Sequence, residues 1–523
     1  MSRKLTTIVA DNSITGSGKT FAAIRHIIDK QQNTLIVVPS IHLANEYEQE
    51  IQKYSNSIGV TTLTTIVTSE HTERNVSTRD LLNSTLDTIK SKKVPAIVVT
   101  THETFKLAIL DNFTDFKGFH LLIDEVIQLY SVSRFDISKF TAAKFIDWFD
   151  FKSSDNNLLE MHLKADLHST AQRIVNKEIY DDFINDDKKI EFLQFTKSDA
   201  FSTYIIESDF EHANKVATGI LENGARLYSI SIVNKAMLEQ FKSVTILAAK
   251  FEMTILSKCL EIAGFKIKYK IFSDRATEKH TNGSRMKIHY LLNRNNSISY
   301  KAFKQDTRAK MDNEDVMVTY IMNNIIQNNK FIVNNNLASR EKRVYTHYQA
   351  LPDQDDDDAQ SVLVTAVAGV NKYKKINYAL YTTSRNIDNA EKQILAKFGI
   401  DEDFANADRN LLSAYQFFAR TSIRDVTATS DVHICCIDKR TAEFIASLYP
   451  DAEIIKHETG LEDDSDVSLP PVRTDAGQQM RRIIKAYSAG KRKFRKDASE
   501  RFCKLYEEYP VPEYRAIYDL LKA

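Results

Sequence analysis

The chain has 523 residues, 43% of them hydrophobic and 27% charged, with 70 basic and 70 acidic side chains and zero formal charge. That length exceeds what one hydrophobic core organises and implies about three folding units, and the composition is that of a globular protein. No apolar run is long enough to cross a bilayer and the opening Met1 to Thr7 lacks a signal peptide's apolar stretch, so a cytoplasmic setting is expected.

The neutral average hides an asymmetry. Acidic stretches lie at Asp353 to Asp358 and Glu462 to Asp466, and a basic one runs from Arg481 to Lys496. Cys259, Cys435, Cys436 and Cys503 show no metal-ligand spacing and read as buried thiols.

In chain order, Leu5 to Ala10 is a short apolar strand, Ser13 to Thr20 a loop of small residues, and Phe21 to Ile28 a helical pattern. This is a phosphate-binding loop. Ser13, Thr15, Gly16, Ser17 and Gly18 let successive backbone N–H groups curl around an anion, Lys19 brings a point charge, and Thr20 offers a hydroxyl to Mg²⁺. The helix that follows aims its positive end at the same phosphates. Ser13 stands where the motif carries its first glycine.

Strands at Thr34 to Ser40, Thr61 to Val67 and Pro95 to Thr101 alternate with the helical patterns Leu43 to Ile51 and Arg79 to Lys90. That alternation predicts a parallel sheet, whose ligands sit at the carboxyl edge. The next strand, His120 to Val126, is apolar up to Asp124-Glu125. Asp124 is expected to hold Mg²⁺ and Glu125 to polarise the attacking water. From Ser131 to Gly224 the pattern turns to long amphipathic segments such as Glu160 to His168, which predict a mostly helical inserted subdomain. Its His162, His168 and His212 read as surface or satisfied core residues. Strands return at Arg226 to Val233 and Ser243 to Ala249, followed by a helix from Met253 to Ala263.

A second set of strands, at Lys287 to Leu292, Lys330 to Asn335, Arg343 to His347, Ser361 to Thr365, Tyr378 to Thr382 and Val432 to Ile437, predicts a second sheet without a phosphate loop of its own. In Tyr415 to Asp425, helical spacing puts Gln416, Arg420 and Arg424 on one face, where the guanidinium groups can act as arginine fingers toward the first domain's nucleotide.

Taken together these motifs resemble those of the two-domain superfamily-two helicases, in particular phage-encoded proteins related to the DEAD/DEAH group. Ser13 to Thr20 resembles motif one, Val38-Pro-Ser40 motif Ia, Thr100-Thr101 motif Ib, Leu122 to Glu125 motif two and Ile246 to Ala249 motif three. Thr365 with Gly369 and Asn371 resembles motif five, and Gln416 to Arg420 with Arg424 resembles motif six. The resemblance implies two RecA-like parallel-sheet domains in tandem, ATP and Mg²⁺ as cofactors, Gly369 among the nucleotide contacts, and a single-stranded DNA or RNA backbone held by Pro39, Ser40, Thr100, Thr101, Asn335 and Thr365. The expected layout is a first domain over 1–130 and 225–275, the insertion at 131–224, a second domain at 276–455, a linker at 456–475 and a basic helical segment at 476–523. Departures from the family pattern are Val126-Ile127 after motif two, Ala248 and Lys250 in motif three, and Ala419 in motif six.

The expected activity is a nucleic-acid-dependent ATPase of helicase or translocase type. A terminase-like packaging ATPase is the alternative, which needs a strand-borne nuclease partner for Asp355 to Asp358. An ATP-gated clamp without unwinding is another, and the altered motif three suits it. The basic tail, with Tyr487 and Phe494 among its cations, suits a nucleic-acid backbone as well as an ordinary packed helix. Deleting the residues beyond Asp475 is expected to weaken nucleic-acid binding and flatten its salt dependence in a titration across ionic strengths; unchanged affinity at low and high salt removes the tail from binding.

Overall fold

A computed structural model gives the architecture. It describes residues 5–458 except 73–75, 93–94, 111–113, 223, 275–278, 294–312, 335–361, 364–372 and 384, and beyond them 480, 496–508, 515, 518 and 522. The expectations for Asn335, the Arg343 to His347 strand, Asp353 to Asp358, Thr365, Gly369, Asn371 and the 459–475 linker lie outside the described residues, as does most of the basic tail.

The first lobe is built from β1 (Thr7–Asp11), α1 (Lys19–Lys30), β2 (Thr34–Val38), α2 (Ile41–Ser57), β3 (Leu63–Val67), α3 (Thr78–Ser91), β4 (Ala96–Thr101), α4 (His102–Leu110) and β5 (His120–Asp124). All five residues of β2 are buried, because a parallel sheet is covered on both faces and its central strands face no water. Leu35 and Val37 join one apolar cluster and Ile36 and Val38 the other, the two-residue alternation of a strand. Ser40 and Ser77 cap α2 and α3 by accepting the Leu43 and Asp80 N–H groups, as short hydroxyl side chains do at helix starts.

The insertion follows as β6 (Tyr130–Ile137), α5 (Lys139–Trp148), β7 (Phe149–Ser154), β8 (Leu158–Leu163), α6 (His168–Val175), α7 (Asp187–Lys197), β9 (Phe201–Ile206), α8 (Glu207–Ala217) and β10 (Ala225–Val233). The chain then returns through the short α9 (Lys235–Leu238), β11 (Val244–Leu247), α10 (Ile255–Ile262) and β12 (Lys266–Tyr269). The first sheet has the order β12-β1-β11-β5-β2-β4-β3 and is parallel throughout.

Two expectations change here. The insertion is not mostly helical packing: its helices rest on a five-stranded antiparallel sheet of order β6-β10-β9-β8-β7. And Arg226 to Val233, expected in the first parallel sheet, is β10 of this one. The strands alternate apolar and polar residues, so Glu160-Met-His-Leu163, which reads as the start of an amphipathic helix, is the end of β8. One face of this sheet carries Phe135, Leu159, Ile205 and Leu227 against α5 to α8, in a cluster that includes Trp148, the chain's single tryptophan. The other face carries Leu158, Ile206, Ile230 and Ile232.

The second lobe is parallel as well: β13 (Met286–Tyr290), β14 (Phe331–Asn334), β15 (Val362–Leu363), β16 (Tyr378–Tyr381), β17 (Val432–Cys436) and β18 (Glu453–Lys456) take the order β15-β14-β16-β17-β13-β18. Cys435 and Cys436 are buried in β17. Helix Asn389–Lys397 of this lobe packs Ile394 and Leu395 on the insertion sheet's second face, together with Ile255 and Cys259 of α10. The insertion's sheet therefore lies between a layer of the insertion's own helices and the second lobe, and polar contacts reinforce the junction. The Ile255 N–H donates to Asp408 Oδ2 at 2.9 Å, and Asn156 Nδ2 to the Lys397 carbonyl at 3.0 Å.

Leu395→Ala removes side-chain volume from this shared core and is expected to cost on the order of 3 kcal/mol. Trp148 fluorescence during urea unfolding reports it, because the tryptophan stands on the opposite face of the same sheet; an unchanged midpoint would show that lobe and insertion unfold independently.

Candidate nucleotide site at the lobe junction

The phosphate loop is held closed by its own small side chains. Ser13 donates to Asp11 Oδ1 through both its N–H (3.0 Å) and its hydroxyl (2.5 Å), and its Oγ lies 3.0 Å from Ser17 Oγ. Only Gly16 (φ 84°) and Gly18 (φ 80°) of this loop adopt left-handed backbone. Ser13 does not, which is why a side chain is tolerated where the motif has its first glycine. Asp11 also accepts from the Phe272 N–H (3.0 Å), and the Ser273 hydroxyl donates to the Ser17 carbonyl (2.7 Å), so the segment leading to the second lobe is tied to the loop. Lys19 is buried and rests its Nζ on the Ser13 carbonyl at 3.2 Å.

Asp124 ends β5 at the carboxyl edge. Its Oδ2 accepts from Thr20 Oγ1 at 3.3 Å and from the Tyr47 hydroxyl at 2.6 Å, and its carbonyl oxygen lies 2.9 Å from His102 Nε2. Burial, with Glu125 adjacent, pushes Asp124 up to about 6, while burial pulls His102 down to about 4. Glu125 has a left-handed backbone (φ 64°), a conformation costly for a residue with a side chain and common at functional sites. Its N–H donates to the Leu247 carbonyl at 2.9 Å, and its Oε2 accepts from Gln416 Nε2 of the second lobe at 3.1 Å.

The motif-six segment is not one continuous helix. The helix Ser413–Phe418 stops there, Thr421 turns to extended backbone with its hydroxyl on the Phe418 carbonyl, and a single 3₁₀ turn, Ser422–Arg424, follows. Gln416, Arg420 and Arg424 nonetheless line the same cavity, of about 340 Å³, as Thr15, Gly16, Gly18, Lys19, Thr20, Asp124 and Glu125. Arg424 lies against Gly16, whose missing side chain leaves it room: a Cβ there would come within 3.4 Å of the arginine's Cγ. Arg285 organises the loop behind Arg424. Its Nε donates to the Ser430 carbonyl (2.9 Å) and its Nη1 to the Asp425 carbonyl (2.8 Å), with Ser422 also in reach.

The lobes meet through a polar chain and an apolar contact. The Thr15 N–H donates to Tyr415 Oη at 2.9 Å, and Tyr415 Oη lies 2.8 Å from His280 Nε2. Burial, with Lys19 and Lys250 nearby, pulls His280 down to about 4, and burial pushes Tyr415 up to about 12. At neutral pH the phenol keeps its proton and the neutral ring can accept it. Ala249 of motif three belongs to the same apolar cluster as Tyr415, Phe418 and Ala419, while Ala248, one of the two positions without the family's hydroxyl, is buried in the first lobe's core.

The expected nucleic-acid residues divide. Thr100 is fully buried with its hydroxyl on the Val67 carbonyl (2.8 Å), and Thr101 Oγ1 accepts the Thr104 N–H while facing Thr104 Oγ1, so in this structure both hydroxyls are engaged within the first lobe. Pro39 and Ser40 stay partly accessible at the carboxyl edge, Ser40 still having a proton to donate while it caps α2. Sequence reasoning missed Tyr47, His102, His280 and the bridging role of Tyr415. Tyr47 was readable only as one apolar position of α2, one turn after Leu43.

Residues 8–143 match the family model for DEAD/DEAH box helicases. No curated protein matches the chain. Among solved structures, that of S. tokodaii Xpd4 is similar at 13% identity, covering 86% of this chain and 96% of that one with a TM-score of 0.42. S. cerevisiae Dbp5 bound to RNA and ADP BeF3 is similar at 10% identity, covering 87% and 86% with a TM-score of 0.37. The DUF1998 helicase MrfA bound to DNA is similar at 12% identity, covering 96% of this chain and 53% of that one with a TM-score of 0.36. Over its amino-terminal quarter, then, the chain is similar to the DEAD/DEAH box helicases.

Proposed function

We propose that this chain is a nucleic-acid-dependent ATPase acting as a helicase or translocase. One observation carries the reading: Lys19, Thr20, Asp124 and Glu125 from one lobe and Gln416, Arg420 and Arg424 from the other line a single cavity. Phosphoryl transfer asks for positioning and charge stabilisation more than for covalent chemistry. Lys19 and the loop N–H groups would hold the β- and γ-phosphates of ATP, Glu125 with Gln416 would orient the attacking water, and Arg420 and Arg424 would offset charge on the leaving phosphate.

Mg²⁺ fits the donor set, since a hydroxyl and a carboxylate oxygen are the hard ligands it takes. Thr20 and Asp124 would hold it, and it would supply neutralisation of phosphate charge. Because the cavity needs both lobes, turnover would depend on how they close, and that is how hydrolysis can move a nucleic-acid strand. Pro39 and Ser40 are the proposed contacts on the first lobe; Asn335 and Thr365 are kept for the second on motif resemblance alone. Single-stranded DNA as the preferred strand, the phage-encoded subset, a replication or recombination partner on the insertion, and a cytoplasmic setting rest on the sequence. The loss of two hydroxyls from motif three, at Ala248 and Lys250, favours, as a second reading, an ATP-gated clamp that grips nucleic acid without separating strands.

Phosphate release measured alone, with single-stranded DNA and with RNA is expected to rise with one of the two; saturable nucleic-acid binding with no turnover supports the clamp. Lys19→Ala is expected to lose nucleotide binding. Glu125→Gln and Arg420→Ala should bind ATP yet turn over about 1,000-fold more slowly, and wild-type turnover in Arg420→Ala would remove the second lobe from the chemistry.

A further inference from the structure

We propose that Tyr47 is the positioning residue for the cation-binding carboxylate: its hydroxyl fixes Asp124 in the orientation in which, with Thr20, it takes a divalent metal. The proposal rests on the ATPase reading and assigns a role to a residue outside the motifs that suggested it.

Tyr47 is 1% exposed. Its ring is locked in the apolar layer formed by Ile24 of α1, Leu43, Ala44 and Ile51 of α2, and Leu122 of β5, so the phenol has little freedom to turn elsewhere. A buried phenolic hydroxyl needs one acceptor, and in this layer the acceptor is the carboxylate that ends β5, at the short 2.6 Å distance of a charge-assisted bond.

Thr20 reaches the same oxygen, Oδ2, at 3.3 Å. His102 holds the Asp124 backbone from the other side, with its Nε2 at 2.9 Å from the carbonyl. The carboxylate is thus fixed by its backbone and by one oxygen. Groups that orient a metal ligand in this way typically govern affinity by 10–100-fold without touching the ion.

Tyr47→Phe keeps the ring and removes only the donor. With a non-hydrolysable ATP analogue present, Mn²⁺ binding followed by electron paramagnetic resonance is expected to weaken about 10-fold. The Mg²⁺ concentration for half-maximal turnover should rise by a similar factor. Affinity for a fluorescent ATP analogue in EDTA and the thermal midpoint should stay at wild-type values. Tyr47→Leu, which also loses the ring, should add a lower midpoint to the same loss of cation affinity. Wild-type Mn²⁺ affinity in Tyr47→Phe overturns the role of Tyr47 and leaves the ATPase reading standing, whereas a wild-type protein that binds neither Mn²⁺ nor nucleotide overturns both.

Discussion

An ammonium and two guanidinium groups face one cleft, and repulsion among them is what the molecule has to manage. Lys19 comes from one lobe and Arg420 and Arg424 from the other. Like charges gathered in one pocket repel unless something negative lies between them. The first lobe supplies part of the compensation through Asp124 and Glu125, with Glu46 and Glu50 of α2 on the same wall. A polyanion bridging the lobes would supply the rest. Closure of the cleft and occupation of the cleft are therefore one electrostatic problem, and the hydrogen bond that Gln416 donates to Glu125 is a point where both lobes already share a solution.

Holding two lobes at such a junction requires contact elsewhere. The insertion supplies it by placing an antiparallel sheet whose two faces are both covered, by its own helices and by Ile394 and Leu395 of the second lobe. Closer to the cleft, the Thr15–Tyr415–His280 chain connects the phosphate loop to the helix that carries Gln416. The distant contact combines an apolar core with hydrogen bonds at its margin, while the near one is a directional hydrogen-bond chain at the phosphate loop itself.

The parallel sheets were legible because their central strands are continuous apolar runs ended by small polar residues, as in Thr34 to Ser40 and His120 to Glu125. The cleft residues were legible for a related reason: phosphate chemistry restricts what can stand at the ends of such strands. The insertion was misread because an antiparallel strand with one buried face and one partly open face, such as Leu158 to Leu163, mixes apolar, acidic and imidazole side chains at a spacing that also fits a helix. The motif-six segment was read with the right residues on the wrong backbone. Nothing in Phe417 to Arg424 forbids a helix, and the break at Thr421 comes from a side-chain hydroxyl competing for the Phe418 carbonyl. Tyr47 and His280 stayed hidden because an aromatic in an amphipathic helix and a lone histidine in a connector acquire meaning only from what the fold sets beside them.

Arg285 gives the second lobe a stiff lever. It follows directly on the connecting segment and grips the backbone carbonyls of Asp425 and Ser430, beyond the turn that bears Arg424. A loop pinned in this way is braced against flexing on its own, so, on the proposed ATPase reading, the guanidinium would leave the nucleotide cavity together with the lobe. The pace of product escape would then follow the microsecond-to-millisecond hinge motion of a whole domain, not the nanosecond wandering of a surface turn.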